Sequence, residues 1–116
     1  MDKIIEELIQ PIFASILGDK MGDRLALVYN PEFLREGTAV KDYFEPPKIV
    51  IGTEDGKPNA AMEALNANIK ASTFYVGFRE AEVTKFVDNT FHAVKTAFAN
   101  DIGRICIQLG ISAAEV

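Results

Sequence analysis

The sequence predicts an α/β fold in which helices pack on a small sheet, and three observations carry that expectation. Two short runs, Lys48-Ile-Val-Ile-Gly52 and Thr73-Phe-Tyr-Val-Gly77, have the β-branched and aromatic content of buried strands. The stretch between them is rich in Ala, Met and Leu, as a connecting helix would be. Residues 80–109 contain no proline and repeat apolar residues every three or four positions. The resulting order is helix, strand, strand, helix, strand, long helix. A doubly wound domain standing alone would open on a strand, whereas this chain opens on a helix, so the expectation is a piece of a larger protein.

In chain order, residues 2–17 place Ile4, Ile5, Leu8, Ile9, Ile12, Phe13, Ile16 and Leu17 at helical spacing. Pro11 should kink this helix and Gly18 should stop it. The apolar run Leu25-Ala-Leu-Val-Tyr29 reads as a third buried strand, ended by Asn30-Pro31. Pro46-Pro47 and Gly52 bracket the strand at 48–52, and residues 53–58 form a polar turn. Residues 59–70 read as a helix weakened by Asn66 and Asn68. The final helix, 80–109, would be about 45 Å long at 1.5 Å per residue. Its stripe of Val83, Val87, Phe91, Val94, Phe98, Ile102, Ile105 and Leu109 is expected to need a partner surface, and Gly110 ends it.

Bulk properties narrow the function. The formal net charge of −5 argues against a nucleic-acid binder, which needs a positive stripe for phosphates. No apolar stretch is long enough to cross a bilayer, and the mixed, acidic N-terminus is neither a signal nor a transit peptide. One cysteine and one histidine make neither a disulfide framework nor a zinc site, which fits a cytoplasmic protein without a metal.

Two places could carry chemistry. Asn30-Pro-Glu-Phe-Leu-Arg-Glu-Gly-Thr38 follows an expected strand, where ligands of open α/β sheets gather. Its carboxylates, Glu32 and Glu36, suit acid–base work or the holding of hydroxyls, although a solvated loop with an Arg35 ion pair reads the same way. On the last helix, Glu82, Lys85, Asn89 and His92 share a sector about 80° wide, turned from the apolar stripe. Such groups can steady an alkoxide or hold a hydroxyl, but a plain solvent face would look alike. Cys106, between two isoleucines, reads as a buried structural thiol. The chain contains no Gly-x-Gly-x-x-Gly, P-loop, Gly-x-Ser-x-Gly or His-Glu-x-x-His motif.

Together these stretches resemble a known family. Asn30-Pro-Glu-Phe-Leu-Arg-Glu-Gly-Thr-Ala39 with Asp42 and Pro47-Lys-Ile-Val-Ile-Gly52 resembles a signature of the UDP-glucose/GDP-mannose dehydrogenases. Ala81-Glu-Val-Thr-Lys-Phe-Val-Asp-Asn-Thr-Phe-His-Ala93 and Phe98-Ala-Asn-Asp-Ile-Gly103 are similar to that family's central helix. The resemblance implies that residues 1–79 are the C-terminal part of a Rossmann-like NAD domain, about three strands with flanking helices. Residues 80–116 would then open the central dimerisation domain.

It also implies an NAD-dependent oxidation of a sugar 6-hydroxymethyl group to a carboxylate in two hydride-transfer steps, through a cysteine thioester. Glu36, Lys85 and Asn89 take catalytic roles by this resemblance: a base or water-orienting group, an oxyanion holder and a partner of the substrate or water. Glu32, Phe33, Leu34 and His92 are placed on the substrate. Asn89-Thr-Phe-His92 is closest to the GDP-mannose branch, with UDP-glucose or another UDP-sugar as the alternative substrate. The NAD fingerprint and the nucleophile's Gly- and Cys-rich segment have no counterpart here. The chain by itself is therefore expected to be inactive and not to bind NAD. The parent would be a homodimer joined through the long helix, and a non-catalytic dimerisation module of the same descent is the other reading.

Overall fold

The computed structural model describes residues 3–20, 22 and 25–116. They fall into two compact units, Met1–Lys85 and Phe86–Val116. The first is built on a βαβ unit. Strand β1 (Ile49–Thr53) pairs in parallel with β2 (Thr73–Gly77), Ile49 opposite Thr73 and Thr53 opposite Gly77. Parallel neighbours need a long crossover, and α3 (Ala60–Asn66) lies within it. Asn59 caps α3 by accepting the Met62 N–H at 3.2 Å. Asn66 turns its side-chain N–H back onto the Met62 carbonyl at 3.0 Å, and the helix ends there, short of residue 70, because such back-bonding competes with further winding.

All five residues of β1 are buried, and Ile51 has no exposed surface. Against the strand packs the start of the long helix α4 (Phe78–Leu109), through Phe78 and Ala81. Gly52 permits this approach: a β-carbon there would come within 2.7 Å of the Ala81 Cβ. Glu82 departs from the expectation of an outward polar sector. It is buried, and its Oε1 accepts the Ile5 N–H at 3.4 Å. The N-terminal segment covers this turn of α4, so a position that faces solvent on a bare helix is enclosed.

The expected strand at 25–29 reduces to one antiparallel bridge, in which Tyr29 and Gly52 exchange N–H···O bonds of 2.9 and 2.7 Å. Residues 25–28 join no ladder. An apolar run is only half of a strand; the partner supplies the rest. The N-terminal helix is also modified. A wide π turn at Ile4–Ile9 precedes α1 (Gln10–Leu17), with Pro11 in the first turn of α1. Proline has no N–H to give the preceding turn, and local widening is one way a helix accommodates that loss. Gly18 stops α1 at a φ of 53°. A short helix α2 (Ala39–Phe44), absent from the sequence reading, follows the candidate loop.

The second unit holds the rest of α4 and a short tail. Its buried apolar residue, among those described, is Cys106, as a structural thiol would be. Val87, Phe91, Val94, Phe98, Ile105 and Leu109 of the stripe are exposed.

Candidate functional site

The loop from Asn30 to Thr38 is anchored at its start by a substitution of donors. Pro31 has no N–H, but the Asn30 side chain reaches the Val50 carbonyl of β1 at 2.7 Å. With the Tyr29–Gly52 bridge one residue earlier, the loop leaves the sheet at a fixed point.

The chain then brings Glu32 to Lys85, in the first turns of α4. The Lys85 ammonium lies 2.8 Å from Glu32 Oε1 and also donates to the Glu32 carbonyl. Glu32 Oε2 accepts the Leu34 N–H at 2.7 Å. These donors hold the Glu32 carboxyl below its ordinary pKa, the Lys85 hydrogen bond first and the Leu34 N–H second, so it is a carboxylate at neutral pH. Two cations approach the Phe33 ring, with Lys48 Nζ 4.5 Å and Lys85 Nζ 5.7 Å from its centroid. Both distances suit attraction to the electron-rich face of an aromatic ring.

The far end of the loop is clasped by Asp42 of α2. Its Oδ2 accepts the Arg35 main-chain N–H and Nε–H, both at 3.0 Å, and the Thr38 hydroxyl at 2.9 Å. Its Oδ1 accepts from the Arg35 guanidinium at 2.7 Å. Asp42 is only 5% exposed, and Arg35 is the main reason its pKa sits well below the usual carboxylate range. Between the two anchors, Glu36 stands exposed on a turn completed by Gly37 at a φ of 81°.

Of the residues singled out in the sequence, the fold thus joins Lys85 to Glu32, beside Phe33 and Leu34. Asn89 and His92 belong to the second unit, where both are exposed. His92 Nε2 lies 3.6 Å from Asp88 Oδ2. Sequence reasoning gave no site role to Lys48, Asn30 or Asp42. Lys48 was visible as the lone cation opening a β-branched strand, but its approach to Phe33 depends on the loop's return path. An apolar cavity under the loop is lined by Pro31, Phe33, Leu34, Tyr43, Pro46 and Ile49 among others. No group of three or more His, Cys, Asp or Glu among the described residues is arranged to hold a metal.

Residues 2–70 match the NAD binding domain of the UDP-glucose/GDP-mannose dehydrogenase family, and residues 79–116 match that family's central domain. The chain belongs to this family. It is 38% identical over 112 residues to a GDP-mannose 6-dehydrogenase of Pseudomonas putida, covering 97% of this chain and 26% of that protein. It is 36% identical over 115 residues to a UDP-glucose 6-dehydrogenase of Haloferax volcanii, covering 95% of this chain and 27% of that one. A crystal structure of GDP-mannose dehydrogenase from Pseudomonas aeruginosa superposes with a TM-score of 0.87 at 35% identity, over 97% of this chain and 26% of that one. The chain therefore spans about a quarter of the length of the relatives it matches.

Residues 2–70 match an NAD binding domain, and the turn after β1 is one place in this chain where a phosphate cradle can be tested for. That turn is Thr53-Glu54-Asp55-Gly56. Thr53 Oγ1 donates to the Lys57 carbonyl at 3.0 Å, and Asp55 accepts the Lys57 N–H at 3.1 Å and its ammonium at 3.0 Å. Glu54 and Asp55 add two carboxylates to the turn, and the Thr53 hydroxyl and the Lys57 N–H and ammonium are bonded within it. This turn does not fit the dinucleotide's phosphates.

Proposed function

We propose that this chain forms one wall of the sugar-oxidising site of an NAD-dependent nucleotide-sugar 6-dehydrogenase. Residues 1–79 would close the NAD domain and residues 80–116 open the central one. The observation that carries the reading is the seating of Lys85 against Glu32, on the loop that the family signature marks. A fixed ammonium beside a carboxylate can hold an oxyanion developing at carbon 6 of the sugar, while the carboxylate receives a proton or orients a water. Both residues are partly open to solvent, with side-chain exposures of 23% for Lys85 and 58% for Glu32, so a substrate can reach them.

Because Glu32 meets Lys85, the base role falls to Glu32 first, and Glu36 keeps a water-orienting or sugar-lining role. The Phe33-Leu34 backbone lines the sugar; Asn89, as a holder of substrate or water, and His92, as a partner of a sugar hydroxyl, take their roles from the family resemblance alone. These residues hold charge and move protons; they do not supply the hydride acceptor, which is NAD in the parent enzyme. GDP-mannose is the favoured substrate, on the Asn89-Thr-Phe-His92 pattern and on the relatives named for it. UDP-glucose is the second reading, because relatives named for it are nearly as similar. The exposed apolar stripe of α4 supports homodimerisation through that helix, in a cytoplasmic enzyme.

The test is an NADH-forming assay on the full gene product with GDP-mannose and UDP-glucose. GDP-mannose should be the better substrate, and Lys85→Ala should lower kcat by about 10²–10³-fold. Glu32→Gln should cost more than Glu36→Gln. An unchanged rate for Lys85→Ala removes that residue from the site, and the reverse order for the glutamates returns the base role to Glu36.

A further inference from the structure

The geometry points to Asp42 as a positioning residue that sets the backbone of the substrate loop, an inference that rests on the functional reading above. The hydrogen bonds of Asp42 go to Arg35 and Thr38, which are not among the residues assigned to the sugar. Its role would be exerted through the Leu34–Arg35 peptide.

The burial of Asp42 is at odds with its surroundings. Residues 34–41 are exposed, yet the carboxylate that follows them is enclosed. A charge removed from water is tolerated only where donors replace the water, and here the loop itself supplies them, from Arg35 and Thr38. Thr38 shows the direction of this arrangement. It stands at the N-cap of α2, where a threonine hydroxyl commonly accepts a main-chain N–H of the helix, but it makes no such cap and donates to Asp42 instead. A helix-starting residue has been diverted to the clasp.

The bond to the Arg35 main chain matters most. An ion pair with the Arg35 side chain alone would tether the loop without orienting it. Asp42 also takes the Arg35 N–H, and the preceding amide, Leu34 N–H, is held by Glu32. Two consecutive peptides are thus each fixed by a carboxylate, and Lys85 holds the Glu32 carbonyl and carboxylate. The sequence of contacts runs from Asp42 through Arg35, Leu34 and Glu32 to Lys85 without a break. Releasing one end lets the Phe33-Leu34 backbone and the Glu32 carboxylate drift together, and a misplacement of about 1 Å can cost about a hundredfold in rate.

Asp42→Asn preserves shape but loses the charge and presents an N–H to a ring of donors. Arg35→Met removes the guanidinium and leaves the main-chain bond possible. In the full gene product, Asp42→Asn should lower kcat for nucleotide-sugar oxidation by about 10–100-fold with a smaller change in KM for NAD. Arg35→Met should lower it several-fold less. Hydrogen exchange read by mass spectrometry should accelerate in Asp42→Asn over the peptide 32–37 and stay unchanged over β1. Slower turnover without faster exchange over 32–37 overturns the proposal. So does a lowered melting temperature with kcat per folded enzyme unchanged, which describes a merely structural group. Should the unsubstituted gene product oxidise no nucleotide sugar, the functional reading falls instead, and the exchange measurement alone still decides whether Asp42 orders the loop.

Discussion

The two units of the chain share an apolar vocabulary and use it in opposite ways. In Met1–Lys85, the apolar side chains of Ile49, Val50, Ile51, Phe78 and Ala81 close on one another around β1. In Phe86–Val116, Phe91, Val94 and Phe98 stand at helical spacing on a face open to solvent, Phe98 being 67% exposed. The first pattern yields stability within the chain. The second yields none within the chain, because a stripe several turns long gains nothing until another surface covers it. Hydrophobicity read along a sequence therefore reports capacity for burial, and the neighbours decide whether the capacity is used.

The comparison can be sharpened by substitution. Ile51→Ala, at the most enclosed position of β1, should destabilise this chain by about 2–5 kcal/mol in urea unfolding. A loss under about 1 kcal/mol, the level of an ordinary surface change, would deny the sheet its role as the core.

Acid should act next, and on the first unit. Asp42 has a folded pKa depressed below its unfolded one, so its stabilisation is complete above the unfolded aspartate value and drains away as pH falls toward the folded value. Urea midpoints recorded from neutral pH downward should decline through that window, and Asp42→Asn should flatten the decline. An identical slope in the variant would mean that other carboxylates govern it.

The smallest effect is expected in the second unit. Phe98→Gln should alter folding stability by no more than about 0.5 kcal/mol, while weakening any self-association seen in sedimentation. A cooperative loss of fold would show that Phe98 is already engaged within the chain.

The sequence was most readable where one run of residues suffices to define an element. Ile49–Thr53 and Thr73–Gly77 were expected within a residue because both runs are continuous and bounded by proline, glycine or polar turns. Leu25–Tyr29 has the same local look, but strand character depends on a neighbour, and the sheet meets it only at Tyr29. The short α2 was hidden because its N-cap Thr38 and its first residue Ala39 belong to the loop signature as well.

At the site, the loop pattern offers Glu32 and Glu36 alike, the family resemblance puts Glu36 first, and the ion pair with Lys85 is made by Glu32. Spacing along a loop cannot tell which of two carboxylates turns toward a helix fifty residues away. Asp42 was recorded as part of a pattern, and the donors that give it meaning became visible only when Arg35 and Thr38 folded around it.

The π turn ahead of Pro11 carries a consequence for the phase of the N-terminal segment. A wide turn is in effect an α-helix holding one surplus residue, and an α-helix advances about 100° with each residue. In this wide turn Ile5 is enclosed and its N–H meets Glu82, while Ile4 and Leu8 are exposed. Deleting any one residue between Ile4 and Ile9 would rewind the segment to ordinary pitch and swing Ile5 about a quarter-turn off its seat. The bulge is thus a phase register, and the length of this short stretch is constrained more tightly than its composition.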